Sequence, residues 1–92
     1  MATIHIPTPL RAYTDGQSAV EVDGDTVGAA LNALTSTFPA LSKHLRTEDG
    51  QLRSFVNVYL GDEDIRFLDK EETPVTPGAE LTIVPSIAGG SR

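Results

Sequence analysis

Cysteine is absent from the 92 residues. That excludes disulfides, zinc-thiolate centres, thiol nucleophiles and any thioester on a side chain. Tryptophan is also absent, methionine occurs once and aromatic residues make up only 5%, so a core has to be packed from aliphatic side chains. Positive charge is scarce. Seven Lys and Arg stand against thirteen Asp and Glu, giving a formal net charge of −6 and a pI near 4.6. Unaided binding to nucleic acid or to an anionic membrane needs clustered cations and is not expected, whereas a basic protein partner is compatible with the charge. Long hydrophobic runs are missing as well: nothing approaches the roughly 20 residues of a membrane span. The segment Met1-Ala2-Thr3-Ile4-His5-Ile6-Pro7 has neither the basic nor the apolar region of a signal peptide. A soluble, cytoplasmic protein is expected.

What is present suits one small domain. Hydrophobic residues at 39%, charged residues at 22% and a mean hydropathy of −0.12 are ordinary globular values. Ile4 and Ile6 alternate with Thr3 and His5 as in a short strand, which ends at Pro7 and Pro9 or runs on toward Leu10 past a bulge. Thr14-Asp15-Gly16-Gln17 is a turn signal, and Val20 and Val22 begin a second strand that pairs with the first as a hairpin. Asp25 or Thr26 caps a helix whose apolar face is Val27, Ala30, Leu31, Leu34 and Phe38. Pro39 stops that helix at Phe38. Gly28 weakens it by up to about 1 kcal/mol unless something packs closely there. Leu41 and Leu45 fit a single helical turn, and Phe55 to Leu60 reads as a third strand. After a turn at Gly61, Ile65-Arg66-Phe67 pairs back briefly; an irregular crossing then leads to a last strand, Glu80 to Pro85. The order predicts an α+β domain over residues 1–85, a mixed sheet of four to five strands with one main helix on one face. Residues 86–92 are expected to be a mobile tail.

Conventional catalytic motifs are missing: no G-x-S-x-G, no P-loop and no H-E-x-x-H. His5 and His44 lack a clear carboxylate companion in the sequence and read as surface or structural residues. The acidic run Asp62-Glu63-Asp64, together with Asp69, Glu71 and Glu72, does not have the spacing of a calcium loop. It reads as a solvated edge, with the sharper alternative of a patch that steers a basic partner. No metal site is expected. The tail carries the chemistry that remains. Gly89-Gly90 follows the last strand after a few small residues, and glycine backbone enters slots too narrow for any side chain. Five residues beyond Pro85 reach roughly 16–17 Å, enough to enter another protein's active site; a plain flexible end is the alternative.

Element order and tail together give a family likeness. Over nearly its whole length the chain resembles the β-grasp sulfur-carrier proteins of the ThiS/MoaD type, relatives of ubiquitin, and is most similar to their CysO-type branch. The segments that carry this are Ile6-Pro7-Thr8-Pro9-Leu10-Arg11, Gly24-Asp25-Thr26-Val27-Gly28-Ala29, the stretch Phe55 to Phe67, and Thr82-Ile83-Val84-Pro85-Ser86-Ile87-Ala88-Gly89-Gly90. The resemblance implies a protein co-substrate with no catalytic residues and no cofactor of its own. A ubiquitin-activator-like adenylyltransferase, using ATP and Mg, converts the carboxylate of Gly90 to an acyl-adenylate. A sulfur donor then displaces AMP and leaves a thiocarboxylate on Gly90, with Ile87, Ala88 and Gly89 guiding the tail. In the CysO-type pathway this group attacks an aminoacrylate on a PLP-dependent cysteine synthase; another sulfur-accepting synthase is the neighbouring possibility.

Family members act with the second glycine at the terminus, whereas Ser91-Arg92 follows here. Either a peptidase cuts between Gly90 and Ser91, or the two residues are an artificial addition, or the activity is absent. The first is the working expectation, with a JAMM-type zinc metallopeptidase as processor. Strand alternation adds a docking face: with Val56, Val58 and Leu60 toward the helix, Phe55 and Tyr59 point the other way, and Val84 opposes Leu81 and Ile83. Phe55, Tyr59 and Val84 then form an apolar patch for an activator, and Asp62, Glu63 and Asp64 steer it. Three other roles stay open: a molybdopterin-synthase small subunit or thiamin-type carrier, a ubiquitin-like modifier forming isopeptide bonds through Gly90, and a binding module with an idle tail.

Overall fold

A computed structural model describes residues 1–53 and 56–85. The expectations for Phe55, for Ile87, Ala88, Gly89, Gly90 and Ser91, and for a tail over 86–92 lie outside the described residues.

The expected hairpin forms. Strand β1, Ala2–His5, pairs antiparallel with β2, Ala19–Val22, placing Ile4 opposite Val20. The link between them is not a bulged strand. Thr8–Tyr13 is a 3-10 helix with Pro9 in its first turn, where a missing N–H costs nothing because that donor has no intrahelical partner. The turn buries Leu10, and the fully buried Thr14 closes it by donating its hydroxyl to the Gln17 carbonyl at 2.9 Å.

Helix α1, Val27–Thr37, starts at Thr26, whose Oγ1 accepts the Ala29 N–H at 3.1 Å. Val27, Ala30, Leu31 and Leu34 are buried along one face. Phe38 ends the helix as expected, but Pro39 is also the first residue of a second helix, α2, Pro39–Leu45. The single turn expected for this region is therefore a seven-residue helix, which seats Leu41 and Leu45 in the core.

The glycine in α1 has its packing reason. A Cβ on Gly28 would lie 3.1 Å from the Glu71 carbonyl oxygen and 3.2 Å from the Glu71 side chain. Glu71 lies in a short 3-10 turn, Lys70–Glu72, and is held there by Arg46, whose guanidinium meets both carboxylate oxygens at 2.7 and 3.1 Å.

Strand β3 is Val56–Leu60 and β4 is Glu63–Asp64. Ile65–Phe67, expected to pair back as a strand, is instead a 3-10 turn, because the Asp64 side chain accepts the Arg66 N–H at 2.9 Å and caps it. The last strand, β5, is Glu80–Pro85, as expected. Sheet order is β2-β1-β5-β3-β4, with β5 parallel to β1 and antiparallel to β3. Register aligns the inward residues in rows: Val20, Ile4, Leu81 and Leu60 form one, Val58 and Ile83 another. These rows and the buried faces of α1 and α2 share one core. The arrangement is a ubiquitin-like β-grasp with a mixed five-stranded sheet, carrying a second helix beside the main one.

Candidate functional site

The segment with the proposed chemistry continues from β5, and β5 is the central strand of the sheet. Its neighbours fix where Pro85 lies: opposite Val56 on β3, two residues beyond the Ile83–Val58 pair. Leu81 and Ile83 point into the core, so Thr82 and Val84 face outward with the alternate residues of β3 and β1. Register places His5, Thr82 and Tyr59 in one outward row and Val84 beside Asn57 in the next.

The parity expected for the docking face is the parity observed for Tyr59 and Val84. They are diagonal neighbours on the outward side, close enough for an aromatic ring to reach the valine. Tyr59 is half-buried and Val84 is 40% exposed. Phe67, from the turn after β4, is 84% exposed. Sequence reading missed it as a surface residue because the strand expected there gave it no special exposure; the capping geometry Asp64-x-Arg66 was the available signal.

The acidic run divides. Asp62 and Glu63 are exposed, but Asp64 is buried. Arg66 donates to it from Nη2 at 2.8 Å and from Nε at 3.2 Å, in addition to the backbone N–H. These bonds hold the Asp64 carboxyl below its usual range, first through the guanidinium and then through the amide, with burial acting the other way. The same pairing raises Arg66. The expectation of a solvated acidic edge is thus corrected for Asp64, whose charge is consumed inside the domain, and for Glu71, which is half-buried and paired with Arg46. Asp62 and Glu63 also sit far from the end of β5: Gly61 donates to the Glu80 carbonyl at 3.0 Å, so their turn lies where β5 begins. The strand itself separates the two places by about 16–20 Å.

Both histidines have structural partners. His5 Nε2 lies 2.7 Å from Glu80 Oε1, and the His44 ring stacks on Tyr13 with centroids 4.1 Å apart. Among the described residues no group of His, Cys, Asp or Glu could hold a metal ion, and no helix is long and apolar enough to cross a membrane.

Comparison with known proteins agrees with this geometry. The model of the ThiS family matches residues 4–90. The sulfur carrier protein CysO of Mycobacterium tuberculosis is 41% identical over 90 residues, covering 96% of this chain and 97% of that one. A chain in the crystal structure of the Amycolatopsis orientalis BexX/CysO complex superimposes with a TM-score of 0.89 at 40% identity, covering 98% of this chain and all of that one. Small archaeal modifier protein 1 of Haloferax volcanii is 38% identical over 72 residues, 77% of this chain and 78% of that protein. With a β-grasp sheet, an outward Tyr59–Val84 face and a family match running from β1 through the diglycine, the chain belongs to the ThiS family.

Proposed function

We propose that this protein is a sulfur carrier that works as a co-substrate through Gly90. The observation carrying the reading is that the family match continues past β5 and ends on Gly90, the second glycine of the pair. A chain without cysteine has no thiol on which to carry sulfur, and a terminal carboxylate offers the alternative. In the proposed sequence Ser91-Arg92 is removed by a JAMM-type metallopeptidase, freeing the Gly90 carboxylate. An adenylyltransferase with ATP and Mg forms the acyl-adenylate with loss of pyrophosphate. A sulfur nucleophile attacks the acyl carbon, the C–O bond to AMP breaks, and a thiocarboxylate remains on Gly90. Ile87, Ala88 and Gly89 thread the activating enzyme, while Tyr59 and Val84, with Phe55, meet its surface. The acceptor is a PLP-dependent cysteine synthase or another sulfur-accepting synthase. The BexX complex formed by the Amycolatopsis relative supports a partner protein seated on this fold.

Intact mass decides the reading. Chain ending at Gly90, incubated with its adenylyltransferase, ATP, Mg and sulfide, is expected to gain the mass of one oxygen exchanged for sulfur. Chain retaining Ser91-Arg92 is expected to stay unchanged, since its Gly90 carbonyl is an amide. No exchange in the shortened chain removes the proposal. The likeness to an archaeal modifier favours a second reading, isopeptide attachment through Gly90; this gives higher-mass lysine conjugates in cells in place of the sulfur exchange.

A further inference from the structure

We propose that the end of β5 carries a cationic collar that docks on an acidic protein surface, the surface into which the C-terminal segment is delivered. The proposal rests on the carrier reading for the identity of that partner, and on geometry for the collar itself.

Two surface clefts share Pro85 as a lining residue. One is lined by Leu10, Lys43, His44 and Arg53. The other brings Ile6, Pro7 and Val84 together with His5 and Arg11. Neither has an Asp or Glu in its lining among the described residues, although acids outnumber bases thirteen to seven in the chain and an adjoining cleft sets Glu48 alongside Lys43 and Arg53. Arg46 and Arg66 are neutralised by Glu71 and Asp64, whereas Arg11, Lys43 and Arg53 have no acidic partner among the described residues. Two of these are also held in place. Arg11 Nε donates to the Ile6 carbonyl at 3.0 Å and Arg53 Nε to the Lys43 carbonyl at 2.8 Å. Their Nη groups make no hydrogen bond among the described residues, so each guanidinium is fixed with its outer donors unused. The Tyr13–His44 stack ties the turn bearing Arg11 to the helix bearing Lys43.

Several of the acids lie at the other end of the sheet. Asp23 and Asp25 follow β2 beside Met1, and Glu80 and the Asp62–Glu63 turn flank the start of β5. Glu80 reaches back to His5 at 2.7 Å, but for Asp62 and Glu63 the intervening length of about 16–20 Å exceeds the screening length of about 8 Å at physiological salt. Set against Glu48 in the adjoining cleft, Arg11, Lys43 and Arg53 still leave an excess of positive charge at the two Pro85 clefts of a protein of net charge −6. Cations placed on both sides of a strand end, with Leu10, Val84 and Pro85 between them, match an interface with an apolar centre and a charged rim. A phosphate site would instead need donors converging on one point.

Titration of 15N-labelled chain with poly-L-glutamate at low salt tests the collar without any partner. Amide shifts are expected around Leu10, Lys43, His44, Arg53 and Val84, and are expected to vanish in Arg11→Glu/Lys43→Glu/Arg53→Glu and in about 0.5 M NaCl. Lys43→Glu alone, at a side chain with no hydrogen bond among the described residues, guards against misfolding; it is expected to weaken binding about threefold to tenfold. Asp62→Lys/Glu63→Lys is expected not to weaken it. Shifts centred on Arg66 or Lys70, or unchanged binding in both collar variants, overturn the proposal. So do larger shifts of the same amides with pyrophosphate at matched ionic strength. The sulfur-exchange assay separates the two readings. Loading that ignores salt and the collar variants removes the collar alone; glutamate binding without loading supports the collar and removes the carrier reading.

Discussion

A single methyl group is enough to disturb the entry into α1. A Cβ at Gly24 would stand 2.5 Å from the Ala30 nitrogen and 2.8 Å from its Cα, both backbone atoms of the helix. Backbone cannot step aside as a side chain can, so Gly24→Ala is expected to cost about 1–3 kcal/mol, read as a lower urea midpoint at constant slope. Losing the Thr26 cap in Thr26→Ala is expected to cost about 1 kcal/mol by the same measurement. The two neighbours differ in legibility. The cap follows from a local rule and was readable to within one residue, as Asp25 or Thr26; the structure selects Thr26. The demand on Gly24 comes from how closely the turn after β2 approaches α1, a tertiary fact with no local signature. Gly28 falls between the two: the sequence posed the question of what packs there, and Glu71 answers it from more than forty residues away.

At the scale of elements, proline and aspartate each did two jobs. Pro39 ends α1 through its effect on Phe38 and opens α2 from the first-turn position, so reading it as a stop alone loses the second helix. Asp64 is both a β4 residue and the cap of the turn that follows, which is why Ile65–Phe67 does not continue as strand. The Asp64–Arg66 pairing also gives a pH dependence. Asp64 has a folded pKa below its unfolded value, so its contribution is present above the ordinary carboxylate pKa and is lost as pH falls through the depressed one. Thermal stability is expected to decline from about pH 4 downward. Asp64→Asn should flatten that part of the profile, and an unaltered acid limb would assign the loss to other carboxylates.

For the molecule as a whole, alternation was sufficient to tell the inward residues of β3 and β5 from the outward pair Tyr59 and Val84. It could not place charge. Whether a loop lies at one end of β5 or the other depends on the parallel register with β1 and the antiparallel register with β3. The sequence shows an acidic run and scattered bases; folding sends Asp62 and Glu63 to one end and gathers Arg11, Lys43 and Arg53 at the other, from three segments with no common motif. The same topology predicts hydrogen exchange. Amides of β5 and of β1 that face each other are expected to exchange most slowly, and those of β4 and the 47–53 loop faster, as measured by NMR in D2O. Equal protection across the sheet would contradict the central place of β5.

That central place has a mechanical meaning. Whatever grips the chain past Pro85 pulls along a strand clamped on both flanks, so its backbone bonds are loaded sideways and together. An outermost strand under the same tug would unzip one bond after another. On the carrier reading, a handle attached here is drawn into a narrow tunnel and released again while the body of the molecule keeps its shape.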